Sequence, residues 1–593
     1  MDSDAMTKKM KTFNRYRIAG AMLLPLAFSA CQTAPGDRPA DQSARQSPSQ
    51  PAQQSTKQSA NDAAARQPWV ADLGDGRYKN PILHADYSDP DAIRVGDTYY
   101  MTSSSFNSVP GLPLLTSKDL VNWELVGHAL PGLTPAERFA VPRHGDGVWA
   151  PCLRYHNGKF WIFYPDPDHG IFVTTAERFD GQWSTPKLLL PGKGIIDPTP
   201  LWDDDGKAYL LHGWAKSRAG FNNILTLRAM APDASKLLDK QGKTLIDGNK
   251  LPGYKTLEGP KLYKANGYYY VFAPAGGVEE GWQAVFRSRK LNGPYEVRTV
   301  LEQGSTPING PHQGAWVRAQ DGKDWFMHFQ DRAAYGRVVH LQPMRWVDGW
   351  PIIGEPGPHA GAGQPVLTHA KPVAGAAIKT PPTSDEFDGD KLGLQWQWNA
   401  NSNARWYALG QRAGQLRLFT QAAPTLDSAD YVRAAPSILA QKLPAQEFVV
   451  NTRIELNNAN NGDRAGLILN AMQYAWLGLR KTADATQLVY TTCGPAVVRC
   501  KETATVVLPS APSSLYLRMS MAPGGMASFA YSTDNATFQT VGQPFKVSKG
   551  RWVGAQIGLF SVGAGAAAGA ATTANAGTKA SSLDVDYFRV TAQ

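Results

Sequence analysis

One pattern constrains this chain more than any other: a polar residue beside a proline, a short strand, a turn glycine and an aromatic strand, met five times. It begins at Asp89-Pro90 with Gly96 and Tyr99-Tyr100, and returns at Trp149-Ala150-Pro151 with Asn157-Gly158 and Phe160-Trp161. Three more returns follow: Asp197-Pro198 with Asp205-Gly206, Glu258-Gly259-Pro260 with Asn266-Gly267, and Pro311-His312 with Asp321-Gly322. The turn glycines 96, 158, 206, 267 and 322 stand 62, 48, 61 and 55 residues apart. An Asn-Gly or Asp-Gly pair between strand-like runs marks a hairpin, because the tight turn needs positive φ. Each repeat has room for about four strands plus loop, the size of one propeller blade. Five repeats predict a five-bladed β-propeller over 75–355.

In a propeller each blade begins with its innermost strand, so the residues just before it gather at one end of the central channel. Here these are Asp89, Trp149, Asp197, Glu258 and His312. Three carboxylates from separate blades suit glycoside hydrolysis, which needs one protonated carboxyl to give a proton to the leaving oxygen and one ionised carboxylate on the other side of the sugar. Blades 1 and 4 face each other across the axis, which pairs Asp89 with Glu258. A gap wide enough for water between base and sugar predicts inversion at the anomeric carbon. Asp197, on the blade next to Glu258, supplies a negative charge that raises the pKa of Glu258.

The same residues resemble a known family. Ser88-Asp89-Pro90-Asp91, Val148-Trp149-Ala150-Pro151, Ile196-Asp197-Pro198-Thr199, Glu258-Gly259-Pro260 and Gly310-Pro311-His312-Gln313-Gly314 are similar to the motifs of glycoside hydrolase family 43, the five-bladed β-xylosidases and α-L-arabinofuranosidases. The resemblance implies Asp89 as general base, Glu258 as general acid and Asp197 as the residue that orients Glu258 and adjusts its pKa. It also implies that Arg337 holds glycone hydroxyls, that Trp149 and Phe106 wall the sugar subsite, and that Gln313 and His312 lie at the substrate. No cofactor is required for the chemistry; the resemblance allows a structural calcium ion near His312 in the channel. Cys152 departs from the polar residue frequent after Trp-Ala-Pro.

Beyond the repeats, 356–384 is rich in Gly, Pro and Ala and reads as a linker. Residues 385–593 alternate short strands, such as Leu416 to Phe419 and Phe448 to Leu456, which predicts a β-sandwich. Ser384-Asp385-Glu386-Phe387 and Trp396-Gln397-Trp398-Asn399 resemble the concanavalin A-like (jelly roll) domain appended to many β-xylosidases. In such enzymes a sandwich loop closes over the propeller mouth and favours exo action. Val562 to Lys579 reads as a loop before the last strand.

The N-terminus predicts export. Five Lys or Arg precede an apolar run from Ile18 to Phe28, then Ser29-Ala30-Cys31. That run is too short to span a membrane. It resembles a bacterial lipoprotein signal over 1–30, with Cys31 lipidated and the protein anchored to the outer membrane, periplasmic or at the surface; cleavage after Ala30 without a lipid is the alternative. Residues 31–74 lack apolar bulk and read as a tether. Cys493 and Cys500 are spaced for a small disulfide-closed hairpin, and no Cys/His spacing suggests zinc. The net charge of +10 is spread without a dense basic run, so nucleic acid is not an expected partner.

Several residues have simpler readings. Asp-Pro and Asp-Gly pairs are common in turns, and Asp91, Asp166, Asp168 and the run Asp203-Asp204-Asp205 are read that way. Fold alone does not fix activity, so a non-catalytic glycan-binding surface lipoprotein is the contrasting class. The carboxylates favour an exo-acting, inverting β-D-xylosidase on xylan-derived oligosaccharides, with an α-L-arabinofuranosidase or a bifunctional enzyme on arabinoxylan as the alternative.

Overall fold

The computed structural model describes residues 67–423, 425–426, 429–494, 502–563 and 580–593. The signal, Cys31, Cys500 and most of the predicted 562–579 loop lie outside the described residues. Five antiparallel sheets follow one another along 91–353, each strand pairing with the next in sequence. Their innermost strands are Asp91–Val95, Cys152–His156, Ile195–Trp202, Lys261–Ala265 and His312–Arg318. These are the five blades expected from the repeat.

The turns differ in detail from one uniform hairpin. Asn157-Gly158 and Asn266-Gly267 have positive φ at both residues, whereas at 96, 206 and 322 only the glycine does. In the latter two, Asp203 and Ala319 pair with residues 206–207 and 322–323, so the glycine is a bulge rather than half of a two-residue turn. Asp203 also accepts bonds from Lys264 and Tyr269 of the next blade. The charge run is a hairpin turn that also ties blade 3 to blade 4.

The ring is closed by segments on either side of the repeats. Arg77–Lys79 pairs with Thr368–Ala370, the Tyr78 hydroxyl donates to the Leu341 carbonyl at 2.9 Å, and Leu83 bridges Val339 of blade 5. Folded structure therefore starts before the expected boundary at 75: Ala71 and Asp72 are buried, and Asp72 pairs with Lys371. The 356–384 linker is likewise partly structured, since Glu355–Pro356 and Gly363–Gln364 extend the outer edge of blade 4. A Gly/Pro-rich composition does not report such edge pairing.

Among the described residues, strands between 397 and 591 form two large packed sheets. Strand Phe448–Asn457 alternates buried and half-buried residues along its whole length, the signature of a sheet with one face in a core. Cys493 is disulfide-bonded. The sandwich is bonded directly to the propeller: Val109 and Trp398 exchange two backbone hydrogen bonds at 2.6 and 3.0 Å, and Ala555 donates to the Ala334 carbonyl at 2.7 Å.

Candidate active site

Each blade except the second turns into its inner strand through a residue in the left-handed region: Asp89 (φ 54°), Asp197 (φ 55°), Gly259 (φ 57°) and Gln313 (φ 35°). Glu258 and His312 thus stand one residue earlier than Asp89 and Asp197. A single residue changes where a side chain points, so the five predicted residues do not form one equivalent ring. Non-glycine residues in this region cost about 1 kcal/mol or more each and gather at functional sites.

A cavity of about 360 Å³ opens at this end of the channel. Its walls include Asp89, Phe106, Trp149, Asp197, Glu258, Gln313 and Arg337. Seven of the eight predicted catalytic and substrate-binding residues share it. The eighth, His312, is fully buried and stands behind Glu258, with Nε2 3.0 Å from Glu258 Oε1. Its inner strand bulges between His312 and Gly314, and His312 is not among the residues that line the cavity. A separate cavity of about 60 Å³ beside Trp69, His84 and Lys442 has no carboxylate in its walls and cannot perform this chemistry.

Asp89 is held by donors. Arg337 Nη1 donates to Oδ1 at 3.0 Å and Oδ2 at 3.2 Å, and the Ser88 and Ser104 hydroxyls donate to Oδ2 at 3.0 and 2.6 Å. Ser104 and Asp86 belong to no sequence motif, yet both support the site. Asp86 Oδ1 accepts the backbone N–H of Arg337 at 2.9 Å, and its Oδ2 accepts that of Gly554, in the sandwich, at 2.9 Å.

The opposite wall has a different character. Glu258 keeps about a fifth of its side chain open to the cavity, and burial, then the charge of Asp197, pushes its pKa well up. Asp197 is raised too, chiefly by burial and also by Asp89, against the Gly259 N–H that it accepts at 2.7 Å. The two carboxyls therefore titrate together and favour a bound proton near neutral pH. His312 is kept neutral, its pKa driven down to about 3 by burial, so its contact with Glu258 is a hydrogen bond between uncharged groups. Among the described residues no group of three or more His, Cys, Asp or Glu side chains is placed to hold a metal ion.

Aromatic rings close the mouth. Trp149, its indole donating to the Gly145 carbonyl at 2.9 Å, lies 6.3 Å from the Phe106 ring and 6.2 Å from Trp552 of the sandwich. The loop expected to cover the mouth is thus 548–554. Arg218 lies 5.5 Å over Trp149 and, with Arg138, is shared between Asp146 and Asp168 at 2.7–3.3 Å. Asp168 serves this rim cluster, Asp166 pairs with His169, and neither lines the cavity. Asp91 is buried against Arg154 and Lys261, an interior role. Cys152 is a buried free thiol.

Comparison with known proteins decides the family. Residues 78–351 match glycosyl hydrolases family 43, and residues 384–591 match the β-xylosidase C-terminal concanavalin A-like domain. A candidate β-xylosidase of Xylanibacter ruminicola is 37% identical over 491 residues, covering 83% of this chain and 87% of that one. The chain belongs to glycoside hydrolase family 43. Its relatives also include a β-xylosidase of Formosa agariphila, 32% identical over 542 residues with 83% and 88% of the two chains covered. A non-reducing-end α-L-arabinofuranosidase of Bacteroides ovatus is 30% identical over 430 residues, covering 68% and 76%. As a family 43 member the protein is a glycoside hydrolase, an enzyme rather than a binding module.

Proposed function

We propose that this enzyme is an exo-acting, inverting β-D-xylosidase that releases terminal xylose from xylan-derived oligosaccharides. The observation that carries the reading is the asymmetry of the two walls: Asp89 gathers only donors, while Glu258 is pushed toward its protonated form. Asp89 draws a proton from a water as the water oxygen bonds to the anomeric carbon. The glycosidic C–O bond breaks, its electrons stay on the leaving oxygen, and Glu258 gives that oxygen its proton. In the tautomer with the proton on Nε2, His312 donates to Glu258 Oε1, which leaves the acidic proton on the oxygen facing the sugar. Asp197 keeps Glu258 protonated. The mouth is narrowed by Trp149 and Trp552, which suits removal of one terminal residue. α-L-Arabinofuranosidase activity is the second reading, favoured by the Bacteroides ovatus relative.

The test is hydrolysis of p-nitrophenyl β-D-xyloside against p-nitrophenyl α-L-arabinofuranoside, with the anomer of the first-formed sugar followed by NMR. Xyloside turnover with α-xylose formed first supports the reading; faster arabinoside turnover replaces it with the second, and β-xylose formed first rejects inversion. The basic n-region, the short apolar run and Cys31 support export with a lipid anchor. Labelled palmitate should enter the full chain in a bacterial host and be lost in Cys31→Ser; no incorporation favours simple cleavage after Ala30.

A further inference from the structure

The xylosidase reading leaves one wall of the cavity unassigned. Glu258 protonates the leaving oxygen, so the leaving sugar lies on its side, past the end of strand Ala208–Trp214. That strand reaches the acid closely: a β-carbon on Gly213 would stand 3.6 Å from Asp197 Oδ2 and 3.9 Å from Glu258 Cα. Its last residue, Trp214, lines the cavity, followed by Lys216, Ser217 and Asn222. Between them the chain makes one helical turn, Lys216–Ala219, and presents Phe221. Phe221 is 43% exposed as a residue, and its ring centroid lies 4.8 Å from that of Trp214.

We infer that segment 214–222 is an extended leaving-group subsite, in which Trp214 meets the first sugar of the leaving oligosaccharide and Phe221 is the stacking platform for the second. Three observations converge on it. An exposed phenylalanine packed against a cavity-lining tryptophan continues an apolar surface outward from the acid, and such a surface suits the C–H face of a sugar ring. Lys216 and Asn222 supply donors beside it for sugar hydroxyls, and Lys216 has no ion pair among the described residues. The platform is also held rigid. Trp214 Nε1 donates to Thr226 Oγ1 at 2.9 Å, Ala215 N–H to the Gly194 carbonyl at 2.8 Å, and Arg218 joins the cluster with Asp146 and Asp168. A preformed surface binds without an ordering cost. The ligand class is a neutral β-linked xylo-oligosaccharide of at least three units, one in the glycone pocket and two beyond the cleaved bond.

This inference rests on the xylosidase reading, and the experiment separates the two. Xylobiose reaches only Trp214, whereas xylotriose reaches Phe221. In Phe221→Ala the ratio of kcat/KM for xylotriose to that for xylobiose should fall about 3- to 10-fold, the range of an aromatic stacking contact, through KM; Phe221→Tyr should restore it. An unchanged ratio in Phe221→Ala overturns the subsite. Failure of the unsubstituted enzyme to cleave xylobiose strikes the xylosidase reading instead. Calorimetric titration of xylotriose into Glu258→Gln, with and without Phe221→Ala, then judges the subsite alone: equal affinity overturns it, and weakened binding supports it.

Discussion

At the residue scale the two faces of the site respond differently to substitution. A p-nitrophenolate departs without help from an acid, whereas a sugar alkoxide does not. Glu258→Gln is therefore expected to cut kcat/KM on xylobiose by about 10²–10⁴-fold, the worth of general acid catalysis, and to spare p-nitrophenyl xyloside in comparison; Asp89→Asn should impair both substrates alike. Comparable losses on both substrates in Glu258→Gln would reassign the acid. Activity needs the proton on Glu258, so it declines as pH rises through the raised value. Asp197→Asn removes a charge that raises it, and the alkaline limb of the pH–rate profile should move to lower pH. A limb that stays in place means Asp197 acts through geometry alone. Gly259 is a third sensitive position: a β-carbon there would meet Gln313 Cγ at 2.2 Å in a backbone region that side chains avoid. Gly259→Ala should displace Gln313 and Asp197 and lower kcat with the propeller still folded by circular dichroism.

At the scale of elements, what the chain disclosed was local. Asp89 and Asp197 were legible because each directly precedes a proline at the start of an inner strand, and Glu258 because it stands two residues before a proline that leads into one. The one-residue offset of Glu258 and His312 was not, since it depends on left-handed backbone at the neighbouring residues and on the bulge in the fifth inner strand. Helix Lys216–Ala219, with only four residues, carries no periodicity to read. Its Arg218 nonetheless joins two blades, through charges partly open to water: the side chains of the four partners are 14–31% exposed. Partial exposure places the loss from Arg218→Ala at about 1–2 kcal/mol, between surface and buried pairs. A lower melting temperature with a raised KM is expected; a normal KM would separate this cluster from the placement of Trp149.

For the whole molecule, the sequence disclosed two β domains but not their dependence on each other. The bonds joining them link residues far apart along the chain, such as Gly554 with Asp86 and Tyr335 with Gln446, and periodicity within either domain says nothing of such partners. A chain ending at residue 370 would keep every blade and the ring clasp yet lose the Gly554 donor to Asp86 and the Trp552 wall. Such a chain is expected to be poorly soluble, because Ala334, Tyr335 and Val338 pack into the sandwich core, and inactive even when refolded. Retained turnover would show that the carboxylates need no support from the second domain.

The bridge made by Asp86 also sets an order in time. Synthesis delivers Asp89 early, but the carboxyl that fixes the Arg337 backbone receives its second partner only when residue 554 has emerged. The pocket is thus among the last parts of the protein to mature. Nascent chains arrested before that point should hold five blades and no catalyst, and a pulse-chase that follows activity against protease resistance should find the resistance first.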